Sequence, residues 1–156
     1  MGLFDFILKA TKSPQEQGSS YAEETFQVVG VNYYEDNLKL LATANPNWRK
    51  GAKGLSELGL CGRKVYHYNY TNKPVKLLPE PTNKHDKNAI IVQIAGEKVG
   101  YINRDENRHV KNILENKRVK FISAFISGGE YKVVSANGDT VKMDSRISIK
   151  VKIGYA

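Results

Sequence analysis

The chain has 156 residues, of which 40% are hydrophobic and 26% charged. That is one domain's worth of ordinary globular chain, which excludes a motor ATPase, a kinase domain or a multi-domain machine. Lys and Arg total 24 against 16 Asp and Glu, a formal net charge of +8. No apolar run approaches the roughly 18 residues of a membrane span, so none is expected.

The opening MGLFDFILKA lacks a basic n-region and a small-residue cleavage site, so it does not read as a secretory signal. The single Cys61 makes no internal disulfide, and the expected compartment is the reducing cytoplasm. Residues 1–20 read as an N-terminal short helix, with Leu3, Phe4, Ile7 and Leu8 on one side, followed by a polar linker at 12–20. Residues 21–156 form the domain proper. Charge is unevenly spread: residues 49–78 hold seven Lys and Arg against Glu57 alone, and residues 109–156 hold nine against four acids. Two basic stretches converging on one face would attract a polyanion; a solvated basic surface accounts for them equally well.

TFQVVGVNYY (25–34) is rich in β-branched and aromatic residues and reads as a strand, with Gly30 marking a bulge or a close backbone approach. Asp36 could cap a short helix over Leu38, Leu41 and Ala42. Residues 45–62 read as a loop with one helical turn at Leu55–Leu58. RKVYHYNY (63–70) alternates strictly and reads as one strand, with Lys64, Tyr66, Tyr68 and Tyr70 on one face and Val65 and His67 on the other. Tyrosines beside lysine suit base stacking with phosphate contact, but a half-buried aromatic face over the core is the simpler reading.

VKLLPEP runs on extended, and residues 88–102 form a hairpin with its turn at AGE. DENRHVKNILENK (105–117) has Val110, Ile113 and Leu114 at helical spacing, with Asp105 or Asn103 as cap. RVKFISAFIS, YKVVS, TVKM and RISIKVKI follow as strands separated by SGGE and ANGD turns, the NG of the second being a strong hairpin signal. About seven or eight short strands in antiparallel succession, with two or three short helices, favour a small barrel or sandwich over parallel winding.

No P-loop, GxGxxG after a strand, CxxC, HExxH or GxSxG occurs. His85–Asp86, with His67 and His109, raises a metal-dependent phosphoesterase as an alternative; against it, the pair sits in a loop and suits a turn in which Asp86 accepts backbone N–H bonds. Metal analysis and turnover on a phosphodiester separate the two.

The distinctive segments are VVGVNYY, then EPTNKHDKNAIIV, then VGYINR. In that order they resemble the HIRAN domain family over roughly residues 26–131, most strongly at 80–104, with a loop at 37–78 longer than in the eukaryotic domain. The resemblance implies a mainly β fold, a small OB-like antiparallel β-barrel with two or three peripheral short helices. It also implies a non-enzymatic module that binds single-stranded DNA at a free 3′-hydroxyl end, linked to DNA repair or replication. No cofactor, metal or membrane is implied, and whether a helicase or nuclease partner supplies chemistry is left open. An Arg-Tyr pair of the family is here Asn32–Tyr33, so the tyrosine is kept and the arginine lost. The family's Asn-Pro-Tyr-Asp step is Asn83–Lys84–His85–Asp86. After the hairpin glycine come Tyr101 and Arg104, and a later aromatic corresponds to Tyr131. Within such a pocket Tyr33 and His85 offer faces to terminal bases, Arg104 forks a phosphate, and Asp86 accepts from a 3′-hydroxyl while repelling a phosphate. A third reading is a protein-interaction module whose DNA pocket has degenerated with the lost arginine.

Overall fold

The computed structural model describes residues 20–156. The short helix expected within residues 2–10 lies outside these, as does the linker up to residue 19. Among the described residues nine strands dominate: β1 Ala22–Val29, β2 Ala42–Ala44, β3 Val65–Tyr66, β4 Tyr68–Tyr70, β5 Val75–Pro79, β6 Ile90–Ile94, β7 Glu97–Ile102, β8 Val119–Val134 and β9 Thr140–Tyr155. Three short α-helices accompany them: α1 Glu35–Leu41, α2 Ala52–Glu57 and α3 Asn107–Asn116. None of the described helices is long and apolar enough to cross a membrane.

Seven strands form one antiparallel sheet in the order β3-β8-β9-β1-β7-β6-β5, while β2 and β4 form a separate ribbon. The sheet turns on β1. Its first part, Ala22 to Gln27, pairs with β9, and its end, Val28 and Val29, pairs with β7. One strand shared by two ladders curls the sheet around its apolar face, as in an OB-like barrel. Hydrogen bonding leaves the curl open between β3 and β5, with β5 packed near β8. Inside lie Phe26, Val28, Ile90, Val92, Val99, Val151 and Ile153, closed on one side by Leu38 and Leu41 of α1 and on another by Val110 and Ile113 of α3. The period of two along the strands and of 3.6 along α3 therefore point to the same core.

Several expected elements differ. The strand expected over 25–34 stops at Val29, because Gly30 takes a left-handed conformation (φ 74°) that breaks the ladder and starts a 3-10 turn over Val31–Tyr34. Helix α1 then begins at Glu35 with no side-chain cap; Asp36 lies in its first turn. The loop at 45–62 holds a 3-10 turn at Pro46–Arg49 and the full helix α2, whose Leu55 is buried with Val65 and Val134.

The strand expected over 63–70 breaks at His67. Its first part, β3, pairs with β8, and its second, β4, pairs with β2. A strand that changes partners cannot keep one face, so Tyr66 packs on Tyr131 while Tyr68 stacks on its neighbour His67. SGGE is a bulge in a continuous β8, not a turn. The register shifts between Ser127 and Gly129, and Gly128, at φ 101°, lies where a Cβ would strike the Arg146 carbonyl of β9. TVKM and RISIKVKI likewise merge into β9. The AGE turn and the NG turn form where expected, with Ser135 N–H donating to the Asp139 carbonyl at 2.9 Å across the second.

Candidate nucleic-acid interface

The loop between β5 and β6 is built around Asn83. Its Oδ1 accepts from the backbone N–H groups of His85 (2.9 Å) and Asp86 (3.0 Å), and its Nδ2 donates to Glu80 Oε2 at 2.7 Å. This Asx arrangement turns the chain and presents His85 outward. The loop is pinned at its base by Glu80 N–H donating to the Ala89 carbonyl at 2.8 Å.

Both carboxylate oxygens of Asp86 are held. The Asn88 backbone N–H donates to Oδ1 at 2.9 Å and the Asn107 amide to Oδ2 at 2.6 Å. Arg104 Nε stands 4.0 Å from Oδ2 with its guanidinium largely in solvent. The Asn88 bond lowers the Asp86 pKa; burial opposes it, and Asn107, Arg104 and Arg108 add to the lowering. The site therefore carries a fixed anion beside an exposed cation.

A second chain of polar contacts connects this loop to the end of β1. Tyr101 donates to Glu80 Oε2 at 2.9 Å and accepts from Lys98 Nζ at 2.6 Å. Lys98 Nζ also lies over the rings of Tyr101 (4.4 Å) and Tyr34 (5.1 Å). Burial works against the Lys98 charge, but hydrogen bonds to Tyr101 and Tyr34 outweigh it and its pKa is raised. Glu80 is lowered by its bonds from Asn83 and then Tyr101. Asn37 of α1 donates to the Lys98 carbonyl at 2.8 Å, tying the helix after Tyr33 to the same strand. Tyr33, next to Tyr34, is 82% exposed, with its ring free for a planar ligand.

The structure thus brings the segments carrying Tyr33, Asn83, His85, Asp86, Tyr101 and Arg104 to one region through Tyr34, Lys98, Glu80 and Asn107. Asn32 instead lines a cleft of about 1160 Å³ between α1, β4 and the bulged part of β8 and β9, to which no residue from 80 to 107 contributes. Tyr131 is buried elsewhere, against Tyr66, beneath Lys64 Nζ at 4.7 Å, with its hydroxyl donating to Met143 Sδ at 3.4 Å.

Sequence reasoning missed four of the connecting residues. Glu80 and Lys98 sit in the two motifs that stood out, but only the pairing of β5, β6 and β7 shows that they share Tyr101. Tyr34 falls at the end of the segment whose composition predicts a strand. Asn107 carried no signal, because a polar residue at the start of an amphipathic helix is expected in water, and here it is buried.

The three histidines lie apart. His67 Nδ1 faces Glu130 at 3.0 Å and His109 Nε2 faces Glu24 at 2.8 Å. Among the described residues no three His, Cys, Asp or Glu side chains converge as metal ligands.

The HIRAN domain model matches residues 24–153, beyond the C-terminal limit of the resemblance read from the motifs. The crystal structure of the HIRAN domain of human HLTF is similar at 19% identity and a TM-score of 0.44, covering 86% of this chain and 74% of that one. No curated protein sequence matches. With the family match spanning nearly all of the sheet, the chain belongs to the HIRAN domain family, a family of DNA-binding domains.

Proposed function

We propose that this chain binds single-stranded DNA at a free 3′-hydroxyl end, without catalysing a reaction on it. The supporting observation is Asp86, a carboxylate kept ionised and oriented by Asn88 and Asn107, with Arg104 beside it. An oriented carboxylate accepts a hydrogen bond from a terminal hydroxyl and repels a phosphate in the same place. Arg104 takes the preceding phosphate, and Tyr33 and His85 stack on terminal bases, each worth about 1–3 kcal/mol. The family's arginine is lost at Asn32, which lines a separate cleft to which the Asp86 loop does not contribute. Such a module marks strand ends of the kind made in DNA repair and replication. An exposed free thiol at Cys61 accords with a reducing cytoplasm.

The experiment is a titration of fluorescent single strands ending in a 3′-hydroxyl or a 3′-phosphate, with blunt duplex as competitor. The reading expects the hydroxyl strand to bind tightest. Equal affinity for all three would instead favour a basic surface without end recognition, and no binding at physiological salt would favour a protein-interaction module.

A further inference from the structure

Away from the Asp86 loop, three aromatic rings are stacked in parallel. Trp48 lies on His67 (centroids 4.4 Å, planes 12° apart), and His67 lies on Tyr68 (4.2 Å, 21°). The back of the stack is closed by cations: Lys132 Nζ is 5.3 Å and Lys142 Nζ 5.7 Å from the Trp48 ring centre. Lys132 is only 7% exposed, and its ammonium donates to the carbonyls of Trp48 (2.5 Å) and Lys50 (2.7 Å). Neither lysine has a carboxylate partner among the described ion pairs. Asn45 holds the other strand, its Nδ2 donating to the Tyr66 carbonyl at 2.8 Å and its N–H to the His67 carbonyl at 3.0 Å. The stack is therefore rigid before any ligand arrives, which removes most of the ordering cost of binding on it.

The front of the stack is open. Tyr68 is 46% exposed, and no other described ring stacks on it. It lines the cleft of about 1160 Å³, whose lining also includes Gly30 to Asn32, directly before Tyr33. The cleft walls carry Lys39 and Arg146 but also Glu35, Glu130 and Asp144. Such a mixed lining does not suit a phosphate; it suits a base, which is flat and presents N–H groups to carboxylates, here Glu35 and Asp144, since Glu130 is engaged by His67. Packing the 45–62 loop against β8 needs Trp48 and Lys132, but it does not need an exposed tyrosine continuing the stack over a cleft.

We propose that Tyr68 is a second stacking station for the bound DNA strand, taking a base 5′ of the terminal nucleotides, with the cleft carrying the bases between Tyr33 and Tyr68 and the phosphates turned to solvent. This rests on the single-strand reading above and extends it from an end reader to a longer footprint.

The test compares a 3′-hydroxyl thymidine dinucleotide with an oligothymidylate of about twelve nucleotides, within the footprint of single-strand-binding barrels. Wild type should bind the longer strand more tightly by at least the roughly five- to hundredfold gain of one stacked base. Tyr68→Ala should cut affinity for the long strand by about that one-base factor while keeping dinucleotide affinity and the salt slope, and Tyr68→Phe should retain it. Trp48 is the only tryptophan, so its fluorescence should respond to the long strand and not to the dinucleotide. If Tyr68→Ala keeps full affinity for the long strand, or loses it equally for both lengths, the station is wrong while a preserved 3′-hydroxyl preference leaves end binding standing. If neither length binds wild type, end binding fails and the station fails with it.

Discussion

The amide of Asn107 donates to Asp86 Oδ2 at 2.6 Å from inside the protein, where Asn107 is only 2% exposed. A buried amide anchored at the first residue of α3 thereby sets the direction of a carboxylate on a loop some twenty residues earlier. Hydrogen bonds to ionised groups contribute about 1.5–3 kcal/mol net, and a buried donor left without its partner costs a similar amount. The contact therefore matters to both stability and recognition.

Asn107→Ala should lower stability by about 2 kcal/mol, a fall in Tm of roughly 4–8 °C in a domain of this size. Because Asp86 then keeps only the Asn88 bond, preference for a 3′-hydroxyl should weaken more than overall DNA affinity. Thermal melts and paired titrations of hydroxyl and phosphate ends check this. A variant that melts lower but keeps its full end preference would show that Asn107 serves the fold alone.

Asp86→Asn removes the negative charge while nearly preserving shape, although its single oxygen can accept from Asn88 or from Asn107 but not from both. The variant should accept a 3′-phosphate nearly as well as a 3′-hydroxyl, closing a gap of about tenfold or more, and should retain most of its attraction to the backbone. Fluorescence anisotropy with the two strand ends reads the change directly.

How much of this was legible in the sequence depends on distance along the chain. Asn83, with Asp86 three residues on, is a local turn, and its place beside a strand rich in isoleucine and valine could be read from the residues alone. The Ala95–Gly96 and Asn137–Gly138 turns are local in the same sense, since each needs left-handed backbone that few residues supply. Tyr131 was hidden because its side is decided by pairing with Tyr66 across a strand that changes partner at His67, and alternation within either segment does not record that change. The two glycines at 128 and 129 carry the same composition as a turn. Only the partner strand, which stays paired on both sides of them, makes them a bulge.

Binding should depend on salt in a way that Arg104 modifies. If about three phosphates are neutralised, the slope of log affinity against log salt is near −2 for a single strand. Arg104→Ala should make it shallower by roughly 0.7. Titrations over a range of sodium chloride concentrations measure both slopes, and an unchanged slope would remove Arg104 from the phosphate contacts.

Stability should fall in acid partly through Glu24 of β1, which links the neighbouring strand β9 to α3. Its carboxylate accepts from the Tyr155 hydroxyl and faces His109 at 2.8 Å, and these two contacts lower its pKa against a smaller opposing effect of burial. A carboxylate lowered on folding stabilises the protein above the ordinary carboxylate range, and the contribution disappears as pH falls through the folded value. Glu24→Gln should therefore melt about 1–3 °C below wild type near neutral pH, a small effect because the group is partly in water. The difference should vanish on acidification through and below the lowered folded pKa. A gap that stays constant across that range would mean that the charge of Glu24 is not what the contact uses.

The most direct measurement of end binding is the affinity for one DNA sequence as a linear strand with a free 3′-hydroxyl and as a covalently closed circle. The two share every base and nearly every phosphate, so only the terminus differs. A site built on the Asp86 carboxylate should bind the linear strand about tenfold or more tightly, the equivalent of at least one charge-assisted hydrogen bond. Equal affinity for the circle would contradict recognition of the 3′ end and reduce the site to a basic surface for single strands.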